Sequence, residues 1–131
     1  MKTLFLIFNH TLTQKQKTDA QVSLGIANFK ALPQTLLNAW ANVDPKGELN
    51  LEAFDKIVFW LSENSSRNDF VLVQGDFGAT FYLVDYCFKK GLIPIYATTL
   101  RATTEYIDGR EQVKKISQFE HVSFRKYRKY K

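Results

Sequence analysis

The stretch that decides the fold is FVLVQGDFGATFYLVDYCFKKGLIPIYA, residues 70–97. Its first part, Phe70–Gln74, is a continuous apolar run, as in a strand that is buried on both faces. Gly75–Thr80 then predicts a tight turn before a helix that Gly91 ends, and Leu92–Ala97 predicts a second strand. Because parallel strands need such a crossover, this stretch predicts a βαβ unit and a parallel sheet.

The residues before this unit predict further parts of the same sheet. Thr3–Phe8 is another apolar run and predicts another buried strand. Thr13 and Gln16 have the spacing of a capping box, which predicts a helix that Gly25 ends. Phe29–Leu32 predicts a short strand. Two more helices are expected. Pro33 suits the first position of one, whose apolar residues are Leu36, Leu37 and Trp40. Asn50 can cap the other, whose apolar residues are Leu51, Phe54, Ile57, Val58 and Leu61.

The pattern changes after Arg101. Thr103–Ile107 and Glu111–Ile116 flank Asp108-Gly109, which is a strong hairpin signal, and Phe119–Phe124 predicts a last strand. The chain has no repeats and no linker, so residues 1–131 are expected to form a single domain. The predicted fold class is α/β: an open, mainly parallel sheet with helices on both faces and a C-terminal antiparallel hairpin.

Composition excludes several classes of protein. The chain has 131 residues, of which 45% are hydrophobic and 24% charged, the balance of a globular domain. One cysteine, Cys87, excludes an internal disulfide and a cysteine-rich metal site. The early apolar run Leu4–Phe8 is too short for a signal peptide or a membrane span. We therefore expect a cytoplasmic protein with no membrane partner.

The net charge of +5 is concentrated at one end of the chain. Residues 110–131 hold eight basic and two acidic side chains, a charge of +6, which leaves −1 for residues 1–109. A neutral body with a basic end points to a polyanionic partner. The alternative is a solvated tail that only improves solubility.

Three polar segments follow the three most apolar strands: Asn9–Thr11, Gln74–Thr80 and Thr98–Arg101. The carboxyl ends of parallel strands lie at one edge of a sheet, and ligands bind in the crevice there. These segments are therefore expected to be loops that meet at a ligand site.

Each candidate residue has a functional and a structural interpretation. His10 follows a buried strand directly and is suited to proton transfer near neutral pH, although it could also be a structural histidine. Arg101 would clamp an anion, whereas Thr98 and Thr99 either contact the ligand or only end a strand. His121 sits in a strand pattern and is expected to be structural.

The Gly-rich turn has the same two interpretations. Gly75 and Gly78 either bring backbone amides toward a phosphate or merely permit the turn. Asp76 either orients a ribose hydroxyl or caps the following helix. No group of His, Cys, Asp or Glu has the spacing of metal ligands, so no metal and no cofactor are expected.

Four motifs carry a resemblance to a known family. The chain resembles the smallest CRISPR-associated ring nucleases, single Rossmann-like proteins of type III CRISPR loci, in Phe8-Asn9-His10-Thr11-Leu12-Thr13, in Gln74-Gly75-Asp76-Phe77-Gly78-Ala79-Thr80, in Pro94-Ile95-Tyr96-Ala97-Thr98-Thr99-x-Arg101 and in His121-Val122-x-Phe124-Arg125-Lys126-Tyr127. The resemblance implies a Rossmann-like homodimer that binds and linearises cyclic oligoadenylate, above all the tetra-adenylate ring, and so switches off antiviral signalling.

RNA cleavage of this kind proceeds by attack of a ribose 2′-hydroxyl and needs no metal. The expected catalytic residues are His10, Arg101 and Asp76. The expected ligand contacts are Asn9, Thr11, Gln74, Gly75, Phe77, Gly78, Thr80, Tyr96, Thr98, Thr99 and Arg125, with Tyr96 or Phe77 stacking on adenine. Two alternatives remain: a module that captures the ring without cutting it, and a basic RNA-binding accessory protein that uses its tail. No DNA partner is expected.

Overall fold

The computed structural model describes residues 2–131, which form five strands and four helices. The strands are β1 (Lys2–Phe8), β2 (Ile26–Ala31), β3 (Phe70–Gln74), β4 (Ile93–Ile107) and β5 (Val113–Lys126). The helices are α1 (Gln14–Leu24), α2 (Gln34–Ala41), α3 (Leu51–Asn64) and α4 (Phe77–Lys89). Within residues 2–131, no helix combines the length and apolar character that a membrane crossing requires.

The strands form one sheet in the order β2-β1-β3-β4-β5. The pairs β1–β2, β1–β3 and β3–β4 are parallel, and β4–β5 is antiparallel. This confirms a mixed α/β fold with a mostly parallel sheet and an antiparallel C-terminal pair. The order of the strands reverses between β1 and β3, which is the position in an open α/β sheet where ligands usually bind.

Both faces of the sheet are covered by helices. Phe5 and Val73 belong to the larger hydrophobic cluster, in which α2, α3 and α4 contribute Trp40, Ile57 and Leu83. The alternate residues Leu4 and Leu72 belong to a second cluster with Ala20 of α1 and Ile95 of β4. Because side chains alternate along a strand, β1 and β3 must be apolar throughout to serve both clusters.

The structure confirms two helix starts that short sequence motifs predicted. Thr13 N donates to Gln16 Oε1 at 2.9 Å and Gln16 N donates to Thr13 Oγ1 at 3.2 Å, which confirms the capping box. Gly25 ends α1 with φ +69°, a left-handed conformation that favours glycine. Asn50 caps α3, since its Oδ1 accepts from Glu52 N at 3.2 Å.

Two predicted boundaries were wrong. The second strand is Ile26–Ala31 rather than Phe29–Leu32, because α1 ends at Gly25 and the chain enters the sheet at once, with Ile26 buried. The helix after β3 begins at Phe77 rather than Phe81, because Asp76 caps it. Most of the predicted Gly75–Thr80 turn is therefore the first turn of α4.

The largest correction concerns the segment Thr98–Arg101. It is not a loop: β4 continues without interruption from Ile93 to Ile107. The predicted separate strands after Arg101 merge in the same way into β4 and β5, which pair from Ile95↔Lys126 to Ile107↔Val113. The physical reason is non-local, because the antiparallel partner β5 pairs with β4 on both sides of a register shift at Thr98/Thr99, and threonines favour extended backbone.

This pairing creates a two-stranded arm, which we call the hairpin arm and define as residues 100–120. Strand β3 pairs with β4 only as far as Ile95, so the arm extends beyond the parallel part of the sheet. Its tip, residues 108–112, is closed by a hydrogen bond from Asp108 N to Gln112 O at 3.0 Å. The hairpin is thus confirmed, with a longer connection than Asp108-Gly109 alone.

Candidate functional site

The turn after β3 is packed tightly against α2. A Cβ atom at Gly75 would lie 2.7 Å from the indole of Trp40, and Trp40 Nε1 donates to Gln74 O at 2.9 Å. Gly75 is therefore required by this close approach of an aromatic side chain. Gly78 lies in α4, where an added Cβ would meet Asp76 and Leu49 only at 3.5 Å.

Three other candidate residues have structural partners. Asp76 Oδ2 accepts from Ala79 N at 3.0 Å, which confirms its role as helix cap. Gln74 Oε1 accepts from Ala97 N at 2.8 Å and so fastens β4 to β3 where β4 leaves the parallel sheet. Thr98 Oγ1 donates to Ser123 O at 3.1 Å across the β4–β5 ladder. Their hydrogen bonds explain these side chains without a ligand.

Three candidate residues do meet in one place. His10, Thr11 and Thr99 border a cleft of about 420 Å³ on the α1 side of the sheet. Its other lining residues are Phe8, Thr13, Lys15, Gln16, Phe119, Glu120 and His121. We call it the α1 cleft. It combines hydroxyls, one lysine and two histidines at the carboxyl end of β1, where a parallel sheet offers its ligand edge.

His10 is exposed at the mouth of this cleft. Its ring makes an edge contact with Phe8, with 5.3 Å between the ring centroids. Asn9, beside it in the turn after β1, is also exposed. The imidazole of His10 is thus held by one aromatic ring and is open to an incoming ligand.

His121 is the opposite case, a buried imidazole with a fixed partner. Its Nε2 lies 2.7 Å from Asp19 Oδ2, while Ser23 Oγ donates to Asp19 Oδ1 at 2.6 Å. The hydrogen bond from Ser23, and then that from His121, hold the pKa of Asp19 below its ordinary value although burial opposes this. The ionised carboxylate therefore assigns the Nε2–H proton to His121.

The other ring nitrogen of His121 is unusual. Its Nδ1 is buried and has no hydrogen-bond partner among residues 2–131. Burial in a strand agrees with the structural role expected for His121. Asp19 could not be predicted as its partner, because the two residues are 102 positions apart and no local pattern connects them.

Arg101 lies on the hairpin arm, where the ring of Phe119 separates it from the α1 cleft. Its guanidinium carbon is 5.8 Å from the centroid of the Phe119 ring, and its Nη2 donates to Ser117 Oγ at 3.1 Å. Arg101 pairs with Phe119 across the arm, and because Phe119 borders the cleft, the charge of Arg101 lies beside the cleft on the same face of the arm. Lys15 is the cation that borders the cleft itself, although no sequence motif marks it as a candidate.

The remaining candidates lie apart from the α1 cleft. Arg125 Nη1 donates to Tyr96 OH at 3.4 Å, and its guanidinium carbon is 5.8 Å from the Tyr96 ring centroid. Both residues border a separate cleft with Tyr127. Phe77 and Thr80 border a third one on α4. The single site expected from three converging loops is thus divided over three clefts.

Comparison with known proteins identifies the family. A family model described as "Uncharacterized protein MJ1673 family" matches residues 2–125. The chain is also 40% identical over 131 residues to "Uncharacterized protein MJ1673" of Methanocaldococcus jannaschii, an alignment that covers 99% of this chain and 100% of the relative. No solved structure matches the chain. From these two matches we conclude that the chain belongs to the MJ1673 family.

Proposed function

We propose that this protein is a ring nuclease that binds and linearises cyclic oligoadenylate, above all cyclic tetra-adenylate. It would act in the cytoplasm and switch off type III CRISPR antiviral signalling. The observation that carries the proposal is the α1 cleft, in which His10, Thr11 and Thr99 face Lys15. The reversal of strand order between β1 and β3 supports a Rossmann-like assignment, since such folds bind nucleotides at this edge.

The chemistry that fits this cleft is metal-independent attack by a ribose 2′-hydroxyl. The 2′-oxygen forms a bond to phosphorus and the bond to the 5′-oxygen breaks, which leaves a 2′,3′-cyclic phosphate and a 5′-hydroxyl. His10 takes the proton from the attacking 2′-hydroxyl, and the leaving 5′-oxygen takes up a proton from water to become the 5′-hydroxyl. Lys15 stabilises the charge on the phosphoryl oxygens, and the Thr11 and Thr99 hydroxyls orient the phosphate.

Arg101 keeps a supporting role in this proposal. Its guanidinium lies over the Phe119 ring and adds positive potential to the cleft, without bordering it. Asp76 caps α4 through Oδ2 and does not border the α1 cleft, so it takes no part in the step proposed here. His121, fixed by Asp19, supports the cleft from below.

A homodimer is part of the proposal. The hairpin arm leaves large apolar side chains uncovered on one face: Ile107, Val113 and Phe119 are 72%, 60% and 67% exposed. A second copy would cover them, and a ring with an even number of nucleotides matches a twofold axis. Light scattering of the free and the ring-bound protein tests this, and a monomer in both states would rule it out.

The decisive experiment is incubation of the purified protein with labelled cyclic tetra-adenylate, with and without EDTA. Linear product in both samples supports the proposal. Retention of the ring without product would instead support a protein that only sequesters it. If the protein neither cleaves nor retains the ring, a ring site is excluded. Activity that is lost in EDTA and restored by manganese would exclude the metal-independent mechanism.

A further inference from the structure

A second surface, on the opposite face of the sheet, is not explained by the proposed function. Helix α4 and the last residues of the chain border a groove of about 510 Å³. We call it the α4 groove; the residues that matter in it are Phe77, Phe81, Phe88, Arg128, Lys129 and Tyr130. Because α4 packs on the face of the sheet away from α1, this groove is separate from the α1 cleft.

The α4 groove exposes an unusual amount of aromatic surface. Phe77 is 93% exposed, Phe81 is 77% exposed and Tyr130 is 90% exposed. Phe77 and Phe81 are four residues apart on α4 and therefore lie on the same side of the helix. Rings of this size are favoured on a protein surface where a partner covers them.

The charges in the groove are basic. Arg128 and Lys129 border it, and Lys129 Nζ lies 5.1 Å from the centroid of the Phe88 ring. The acidic lining residue, Asp85, forms an ion pair with Lys89 at 3.2 Å. The groove therefore presents aromatic rings next to uncompensated cations.

The C-terminal segment is fixed where it enters the groove. Tyr127 OH donates to Val73 O at 2.6 Å, and Tyr127 N donates to Pro94 O at 3.0 Å. Burial raises the pKa of Tyr127, so its hydroxyl stays protonated and keeps donating. Arg128 and Lys129 directly follow this anchor and are thus held beside α4 rather than on a free tail.

Aromatic and basic side chains also line the neighbouring cleft, on the other side of Tyr127. That cleft shares Tyr127 and Arg128 with the α4 groove and adds Tyr96 and Arg125. Arg125 lies over the Tyr96 ring, and the Tyr96 and Tyr127 rings are 4.8 Å apart. Aromatic rings and cations therefore alternate along one continuous track.

One polar group in the α4 groove also lacks a partner. Thr80 Oγ1 is buried and makes no hydrogen bond within residues 2–131. It lies on α4 between Phe77 and Phe81 and borders the groove. Because this oxygen is shielded from solvent, the aromatic rings and the cations are the groups that a ligand in the groove can reach.

We infer that the α4 groove binds single-stranded RNA. Bases stack on Phe77, Phe81 and Tyr130, and phosphates contact Arg128 and Lys129, which is the way proteins bind single strands without reading sequence. A second copy of the chain is disfavoured here. A twofold axis through the groove would bring the basic residues of one copy toward the same residues of the other.

Binding of a fluorescent single-stranded 12-nucleotide RNA, followed by anisotropy with the full chain, tests this inference. Phe81→Ala should weaken binding about tenfold, because stacking of one base contributes this much. Phe59→Ala is the matched control, since Phe59 is 65% exposed on α3 outside the groove, and it should bind as the original protein does. Replacing both Arg128 and Lys129 by alanine should lower the salt dependence of binding.

Three results would overturn the inference. One is unchanged RNA binding by a folded Phe81→Ala protein. Another is equal affinity for double-stranded RNA, in which the bases cannot stack on the protein. The third is a dimer that Phe81→Ala converts to a monomer in light scattering. The ring assay keeps the two proposals apart: Phe81→Ala should still cleave cyclic tetra-adenylate, and His10→Ala should still bind the RNA.

Discussion

His121 Nε2 and Asp19 Oδ2 are 2.7 Å apart, and this contact joins helix α1 to the edge strand β5 across 102 residues of sequence. Both α1 and the base of the hairpin arm border the α1 cleft. The pair therefore fixes the two walls of the proposed site relative to each other.

Replacing Asp19 by asparagine should destabilise the fold. The change preserves the shape of the side chain but removes its charge, so we expect the free energy of unfolding to fall by about 1–2 kcal/mol at pH 7, a value reduced for partial exposure. Urea unfolding measures this. Asp85→Asn is the control, since its ion pair with Lys89 is exposed and contributes about 0.5 kcal/mol or less.

The contribution of Asp19 should disappear in acid. Its pKa in the folded state is below the ordinary value of 3.8, so the unfolded chain takes up the proton first as the pH falls. The stabilisation is complete above pH 3.8 and is lost as the pH falls through the lower, folded value. The stability difference between the original protein and Asp19→Asn should shrink accordingly, and a constant difference down to about pH 2 would contradict this assignment.

His10→Ala tests the proposed proton transfer. Single-turnover cleavage of cyclic tetra-adenylate should slow by about 100-fold or more, because general acid–base groups contribute on this scale. The affinity for the ring should change only a few-fold, and the melting temperature should not change, because His10 is exposed. A fully active His10→Ala protein would end the assignment.

Lys15 and Lys17 form a matched pair on α1. Both are exposed, but Lys15 borders the α1 cleft and Lys17 does not. Lys15→Ala should weaken ring binding and cleavage together, because a cation on a phosphate acts in the ground state and the transition state alike. Lys17→Ala should leave both unchanged. Equal effects of the two substitutions would show that only net charge matters.

Gly75→Ala tests the packing of the turn after β3. The added methyl group would lie 2.7 Å from the buried Trp40 indole, so the helix or the turn must move. We expect a loss of about 1–3 kcal/mol in the free energy of unfolding. Gly109→Ala is the control, since nothing lies within 4 Å of a Cβ at that position, and it should stay within about 0.5 kcal/mol.

Local signals in the sequence predicted the local features of this fold. The Thr13–Gln16 capping box, the Asn50 cap and the apolar runs of β1 and β3 each depend on a few neighbouring residues. They therefore predicted the helices and the parallel strands.

Features set by distant residues could not be predicted in this way. Thr98–Arg101 has the polar composition of a loop, and only its pairing with β5 makes it a strand. Because of the same pairing, Arg101 lies on the hairpin arm and not at the site where it was expected. Lys15 joins the α1 cleft because α1 packs beside β5, for which a single sequence carries no local signal.

The hairpin arm also determines how the molecule opens. In a single copy of the chain the two strands of the arm have no covering layer and are only marginally stable in water, whereas Val71 and Val73 are fully buried beneath helices. Backbone amides of the arm, such as those at Thr103 and Thr104, should therefore exchange with deuterium through local fraying, while those of β3 exchange only when the whole domain unfolds. Phe119 and Glu120 belong to this fraying unit, so each opening event loosens one wall of the α1 cleft, and a bound ring that bridges the cleft should slow exchange throughout the arm.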